Sequence, residues 1–147
     1  MARVQFELPP HFLFTTDMVV CISHINVGNH LDNVQLLNFV AEGRTRFLHR
    51  LGYRGIDVEG CSLIVSDLVT QYVTEGFYGE TLSVRMDVTD FNRYGFDLVF
   101  QIVEKTANRE IARGKVGMVF IDRTTRKVTP IPDAFRERLR LLCGDSY

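Results

Sequence analysis

The sequence has few cysteines, almost no net charge and no long hydrophobic run. Cys21, Cys61 and Cys143 are odd in number and widely spaced, which argues against a disulfide framework and predicts free thiols in a reducing compartment. A net charge of -1 at pH 7 leaves no broad charged surface for nucleic acid or an anionic membrane. No apolar run reaches the length of a membrane span, and the segment 1–12 lacks the pattern of a signal peptide. These absences together predict a cytoplasmic protein.

The composition is that of an ordinary globular protein. Hydrophobic residues make up 46% of the chain and charged residues 24%, and the chain shows no internal repeat or low-complexity segment. At 147 residues the chain is long enough to bury a core of its own, so we expect a single domain over residues 1–147.

One long helix is predicted between residues 33 and 52. Apolar residues recur there with the period of about 3.6 residues that marks one helix face, at Leu36, Leu37, Val40, Phe47, Leu48 and Leu51. Asp32 or Asn33 suits the N-cap position, and Gly52 suits the C-terminal end. Arg44 falls within the apolar stripe, so we expect a salt bridge or a bond to a carbonyl group to compensate its charge.

Five other segments are typical of strands, and residues 132–142 are typical of a short helix. β-Branched and aromatic residues dominate the segments 11–23, 61–77, 81–90, 94–104 and 109–122. One helix cannot alternate with every strand, so we predict an α+β fold, with the last four strands in a meander and the antiparallel sheet curled around the helix. The segment 61–77 is apolar at both parities, which predicts that both its faces are covered. Such a sheet has free edges, which predicts pairing with a second copy of the chain.

A polar segment, HINVGNHLDN at residues 24–33, separates the first strand from the helix. Its short polar side chains suit a turn and helix cap, a metal site or the mouth of an active site. The spacing of His24, Asn26, His30 and Asp32 matches no standard zinc pattern, so we predict no metal. We expect His24 to end the first strand, away from His30. The other two interpretations are compatible with each other, and both stay open at this point.

The same segment resembles a loop of the hotdog-fold thioesterases, the broad group that includes the 4-hydroxybenzoyl-CoA thioesterases. Many members carry Asp-x-x-Gly-His-x-x-Asn before the central helix, and the run NVGNHLDN is similar to it. Asn26 stands in the place of the aspartate, whereas His30 and Asn33 match the motif.

The resemblance extends over roughly residues 10–132. GRTRFLHRLG at 43–52 is similar to the end of the group's central helix. YVTEGFYGETLSVRMDV at 72–88 resembles its second strand, turn and third strand, and the segment 109–122 resembles its last strand. The resemblance implies the hotdog fold, in which about five antiparallel strands wrap around one long central helix.

An acyl-CoA thioesterase is the activity that the resemblance implies. The enzyme would be a homodimer or a homotetramer with the acyl thioester in a cleft between subunits. Coenzyme A would be part of the substrate, and no separate cofactor is implied. The free N–H groups at the helix start, with Leu31 and Asn33, would bind the thioester. Asn26 and His30 would position water or the thioester carbonyl.

Asn26 changes the expected chemistry, because an amide is neither a base nor a useful nucleophile. The resemblance therefore implies the branch of the group whose carboxylate lies on the central helix. Glu42 is the one carboxylate within residues 33–56, and it is implied as base or nucleophile. It lies about 13 Å along the axis from the helix start, so we expect these two parts of the site to come from different subunits. The alternative is a surface ion pair between Glu42 and Arg46, one helical turn further on.

Arg113 and Lys115 lie two residues apart on the last predicted strand and therefore share one face. They are candidates for binding the phosphates of coenzyme A. The alternative is a solvated basic edge.

Two other functions stay open. One is a non-catalytic module that binds acyl thioesters or has a regulatory role, which Asn26 in place of aspartate favours. The other is a hotdog hydratase or dehydratase, which the chain supports less because His24 and Asn26 do not reproduce that group's Asp–His pattern.

Overall fold

The secondary structure of residues 3–5 and 7–144, which the computed structural model describes, is one sheet with one long and one short helix. The strands are β1 (Phe14–Val19), β2 (Cys61–Tyr72), β3 (Thr81–Thr89), β4 (Gly95–Glu104) and β5 (Arg109–Asp122). The helices are α1 (Asn33–Arg50) and α2 (Asp133–Cys143), and a 3₁₀ turn spans Ile22–His24. These elements confirm the predicted α+β fold with its long central helix and short C-terminal helix.

The strands form one antiparallel sheet in the order β1-β3-β4-β5-β2. Only β3, β4 and β5 form a meander, because β2 pairs with β5, from Cys61 opposite Asp122 to Tyr72 opposite Ala112. The predicted meander of four strands is therefore wrong for β2, which lies at the far edge of the sheet. Within the described residues, β1 and β2 are the two edges.

Helix α1 packs on one face of the sheet, against β1 and β3. Leu82, Val84 and Met86 of β3 are fully buried on this face. Gly43 marks a close approach, since a Cβ atom there would lie 2.9 Å from both Val84 Cγ1 and Met86 Cε. The missing side chain at Gly43 therefore lets α1 lie close to β3.

The two ends of α1 follow the sequence signals. The Asp32 side chain accepts hydrogen bonds through Oδ2 from the N–H groups of Val34 and Gln35, at 2.9 and 3.1 Å. The structure therefore selects Asp32 rather than Asn33 as the N-cap. Gly52, just beyond the helix, has a φ of +96°, a conformation that favours glycine. Neither α1 nor α2 is long and apolar enough to cross a membrane.

Two local predictions are wrong. β1 ends at Val19, so His24 ends the 3₁₀ turn rather than the first strand. Arg44 is half-buried beside the stripe that packs on the sheet, and burial lowers its pKa. It has neither a salt bridge nor a carbonyl partner in the described part of the chain. Partial exposure explains this, because water solvates part of the guanidinium.

Strand β2 is less covered than predicted. The side chains of Ile64, Val65 and Leu68 are 45%, 43% and 42% exposed, respectively. The reason is that α1 packs on the opposite half of the sheet, and β2 has a strand neighbour only along β5 in the described chain. An edge strand with exposed apolar side chains is a surface to which another chain can pair. Pairing with a second copy stays a prediction.

Candidate active site

The polar loop before α1 is a tight turn that brings its side chains to the helix start. Ile25 and Leu31 form an isolated antiparallel bridge, and the N–H of Asn26 donates to the carbonyl of His30 at 3.1 Å. Asn29 has a φ of 65°, a left-handed conformation that asparagine tolerates better than most residues. The turn interpretation of this segment is therefore confirmed.

Asn26 uses both ends of its side-chain amide within the loop. Its Oδ1 accepts the N–H of Gly28 at 2.9 Å, and its Nδ2 donates to Asp32 Oδ1 at 3.3 Å. These two bonds connect the turn to the N-cap of α1. Asn26 also lines the cleft described below, and its predicted role in positioning water or a carbonyl stays a prediction.

The imidazole of His30 has a defined orientation. Its Nδ1 lies 3.2 Å from the carbonyl oxygen of Leu31. A carbonyl oxygen can only accept, so Nδ1 carries the proton in this contact and Nε2 has a lone pair in the neutral ring. Nε2 lies 3.8 Å from Glu75 Oε1. Gly28 makes room for the ring, because a Cβ atom there would lie 2.9 Å from Nε2.

The start of α1 leaves one N–H group for a ligand. Asp32 accepts from the N–H groups of Val34 and Gln35 with its side chain and from that of Leu36 with its carbonyl. The N–H of Asn33 has no acceptor among the described residues. The hydrogen bond from Gln35 is the main cause that lowers the pKa of Asp32, so the cap stays ionised. We expected several N–H groups at the helix start to bind the thioester. Among the described residues, only the N–H of Asn33 is left for this role.

Tyr72 connects the end of β2 to the helix start. Its hydroxyl donates to the carbonyl of Asn33 at 2.7 Å. Burial, together with the nearby charge of Asp32, raises the pKa of Tyr72, so the phenol stays protonated and able to donate.

These groups line one cleft of about 170 Å³ at the edge of the sheet that β2 forms. The cleft brings together four residues of the predicted site, namely Asn26, His30, Leu31 and Asn33. Glu75 and Tyr72 also line it, and sequence reasoning missed both. The sequence does show a carboxylate, Glu75, just after an apolar strand. It does not show that Glu75 lies beside His30, because the two residues are far apart in the chain.

Glu42 lies in a different cleft, of about 510 Å³, beside β1. Its Oε1 accepts from Arg46 Nε at 2.8 Å. Arg46 also donates to Thr16 Oγ1 at 2.8 Å and to the carbonyl of Asp17 at 3.0 Å. The structure therefore does not bring Glu42 together with His30 within one chain, and it contains the ion pair that the alternative interpretation of Glu42 expects.

His24 lies in the same cleft as Glu42. Its Nδ1 accepts the N–H of Cys21 at 2.9 Å, and its ring packs on Phe39 with the centroids 4.8 Å apart. Among the described residues, no three side chains of His, Cys, Asp or Glu are grouped as metal ligands would be.

Arg113 and Lys115 are on neither of these two clefts. Arg113 forms an ion pair with Glu110 at 2.7 Å, and Lys115 forms one with Asp97 at 2.8 Å. The Asp97 hydrogen bond raises the pKa of Lys115. The two side chains do share one face of β5, as predicted, but their charges are balanced by neighbouring carboxylates, and their role in binding phosphates stays a prediction.

An antiparallel sheet wrapped against one long helix, with a polar cleft where a short loop enters that helix, defines a hotdog-fold protein. The sequence profile of the thioesterase-like superfamily matches residues 20–139, and the chain belongs to that superfamily. A comparison with curated proteins finds no significant match.

Solved structures with the same fold include several thioesterases. The 1,4-dihydroxy-2-naphthoyl-CoA thioesterase of Synechocystis has a TM-score of 0.80 and 18% identity, over 91% of this chain and 98% of the other. A Staphylococcus aureus protein in complex with CoA has a TM-score of 0.80 and 17% identity, over 94% and 87% of the two chains. A predicted thioesterase from Bacillus stearothermophilus has a TM-score of 0.77 and 20% identity, over 87% and 94%. At these identities the likeness shows the fold alone.

Proposed function

We propose that the protein hydrolyses acyl-CoA thioesters in the cleft at the start of α1. The observation that carries the proposal is the convergence of three groups there: the N–H of Asn33, the Nε2 atom of His30 and the carboxylate of Glu75. A hydrogen-bond donor, a base and a negative charge are the groups that water attack on a thioester requires. Membership in the thioesterase-like superfamily supports thioester hydrolysis in general.

The thioester carbonyl oxygen accepts the N–H of Asn33 in this proposal. Negative charge that develops on that oxygen lies at the positive end of the α1 dipole, which stabilises it. Leu31 and Leu36 form an apolar wall beside the reacting group. The substrate carries coenzyme A as its leaving group, as the CoA complex of the S. aureus structure suggests for the fold, and the proposal needs no further cofactor.

A second copy of the chain completes the site in this proposal. The cleft lies at the end of β2, whose outer edge has no strand partner among the described residues and whose exposed apolar residues can pack against another β2. Two sheets joined edge to edge form a homodimer with a cleft near each end of the shared strands. In such a dimer, this proposal places Arg113 and Lys115 of one subunit near the coenzyme A that is bound at the other subunit. Two dimers would form the homotetramer.

Glu42 is not one of the groups in this cleft. The family resemblance assigns it as base or nucleophile, but its contact with Arg46 at 2.8 Å places it at the β1 edge, on the other side of α1. Glu42 can contact a thioester bound at His30 only if a partner subunit supplies it.

The three free thiols fit a reducing compartment such as the cytoplasm.

The test is thiol release from a panel of acyl-CoAs with short, long, aromatic and branched acyl groups. Steady release of coenzyme A from at least one of them supports the proposal. Tight binding without release would favour the non-catalytic binding module. Loss of a double bond from an enoyl-CoA without thiol release would favour the hydratase.

A further inference from the structure

The side chains of His30 and Glu75 form a pair that faces the cleft. Nε2 and Oε1 are 3.8 Å apart, which is too long for a direct hydrogen bond. A water molecule about 2.8 Å from both atoms can nevertheless donate one hydrogen to each. The pair is therefore spaced to hold one water between a neutral imidazole and a carboxylate.

The orientation of His30 makes Nε2 the free base. The carbonyl of Leu31 accepts from Nδ1 at 3.2 Å, and Gly28 leaves the space in which the Nε2 side of the ring lies. Among the described residues, the charged or titratable groups near the imidazole or Glu75 include Asp32 at the cap of α1, Tyr72 of β2 and Arg109 of β5. The Arg109 guanidinium donates to the carbonyl of Glu75 at 3.2 Å and is paired with Glu80. Asp32 is bound to the helix cap and Tyr72 to the carbonyl of Asn33, whereas the carboxylate of Glu75 contacts only His30 in the part of the chain that the structure describes.

We propose that His30 and Glu75 together form the general base for thioester hydrolysis, which extends the function proposed above and depends on it. Nε2 takes a proton from the bound water as the water oxygen forms a bond to the thioester carbon. Glu75 holds the second hydrogen and stabilises the imidazolium that forms. The carbon–sulfur bond then breaks, and the proton passes from Nε2 to the leaving sulfur. The products are a carboxylic acid and the thiol, and no oxidant or metal takes part.

This pair also accounts for the amide at Asn26. Asn26 supplies no carboxylate to the turn, and its amide links Gly28 to Asp32. The base is then supplied by the neighbouring His30, and the carboxylate is supplied by Glu75 from the end of β2. Glu75 is 61% exposed, so changing it leaves the core untouched.

The experiment measures kcat and KM for the full chain on the best substrate of the panel. We expect His30→Ala to lower kcat at least about 100-fold, the lower end for general-base catalysis. Glu75→Gln should lower kcat about 10-fold or more while KM changes less than about threefold, because it alters the base and not the binding wall.

Glu137→Gln is the matched control, because Glu137 is an exposed glutamate paired with a cation, Arg140, on α2. It should leave kcat and KM unchanged. Glu75→Asp should recover part of the lost kcat. If the wild-type protein releases thiol but Glu75→Gln and His30→Ala keep its kcat, the pair is not the base and this inference falls, while thioester hydrolysis by the protein stands. If the wild-type protein releases no thiol from any substrate, the proposed function falls together with the inference.

Discussion

Asn26 and Asp32 are joined by a hydrogen bond of 3.3 Å from the amide Nδ2 to the carboxylate Oδ1. The other carboxylate oxygen of Asp32 caps α1 through Val34 and Gln35. The amide at position 26 is therefore matched to the acid at position 32, because an aspartate at 26 would place a second carboxylate against the cap. The same contact sets the position of the turn that holds His30.

Asn26→Asp tests this match. The variant loses the donor to Asp32 and adds a like charge, so we expect it to be less stable than the wild type at pH 7 by about 1–3 kcal/mol. Asn26→Ala loses the donor without the charge and should be destabilised less. The repulsion acts only while both acids are ionised, so its cost is present at neutral pH and fades as the pH falls and they protonate. Thermal melts from pH 7 to pH 4 should show the gap to wild type closing, and a constant gap would contradict the pairing.

Glu42→Gln tests whether the carboxylate used in catalysis is that of Glu42 or that of Glu75. Since Glu42 is bound to Arg46 in the cleft beside β1, we expect the kcat of the Glu42→Gln variant to stay within about threefold of wild type. If Glu42 were the general base, kcat would fall at least about 100-fold. Thiol release measured beside Glu75→Gln decides between them. A loss of 100-fold or more in Glu42→Gln would assign the base to α1.

Arg46→Ala should affect stability more than Glu42→Gln does. Besides Glu42, the guanidinium holds Thr16 Oγ1 and the carbonyl of Asp17, which tie α1 to β1. Two such bonds contribute about 1–3 kcal/mol, whereas the exposed ion pair contributes less than about 1 kcal/mol. Urea unfolding of the two variants measures the difference. Equal loss in both would mean that the contacts to β1 contribute nothing.

Gly43→Ala should destabilise the protein although alanine favours a helix. The new Cβ would lie 2.9 Å from Val84 Cγ1 and Met86 Cε, so α1 or these side chains must shift. Overpacking of this kind costs about 1–3 kcal/mol. Val84→Ala in the Gly43→Ala background should recover part of the loss in a double-mutant cycle. Simple addition of the two single effects would contradict the close contact.

Leu68→Glu tests the proposed pairing through β2. We expect the wild-type protein to be a dimer or larger at micromolar concentration by light scattering, and the variant to be a monomer, because a charge in an apolar contact between copies is costly. Leu141→Glu is the control, since Leu141 is 76% exposed on α2. A wild-type monomer would contradict the dimer.

The cysteines should differ in reactivity toward iodoacetamide at pH 8. Burial, and next the charge of Asp87, raise the pKa of Cys143 to about 11, and burial also raises the pKa of Cys61. Since the thiolate is the reactive form, both should react more slowly than the exposed Cys21. Mass spectrometry over time gives the order. Fast labelling of Cys143 would show that α2 opens readily from the core.

The sequence alone determined the elements and the local geometry of the turn. The 3.6-residue period predicted α1, the acid and the glycine predicted its ends at Asp32 and Gly52, and the short polar residues predicted the turn. The resemblance predicted the hotdog fold. These signals are local, because a helix period, a cap and a turn each depend on neighbours within a few residues.

Only the tertiary structure decided which strands form the edges of the sheet and which carboxylate lies next to His30. The sequence order suggested a four-strand meander, but β2 pairs with β5 and so carries Glu75 to the start of α1. Helix spacing alone could not tell whether Glu42 lies beside His30, because that depends on how α1 lies across the sheet, with Gly43 against β3 and Arg46 against β1. Strand pairing and helix docking are set by burial between residues far apart in the chain, and a single sequence contains no local signal for such contacts.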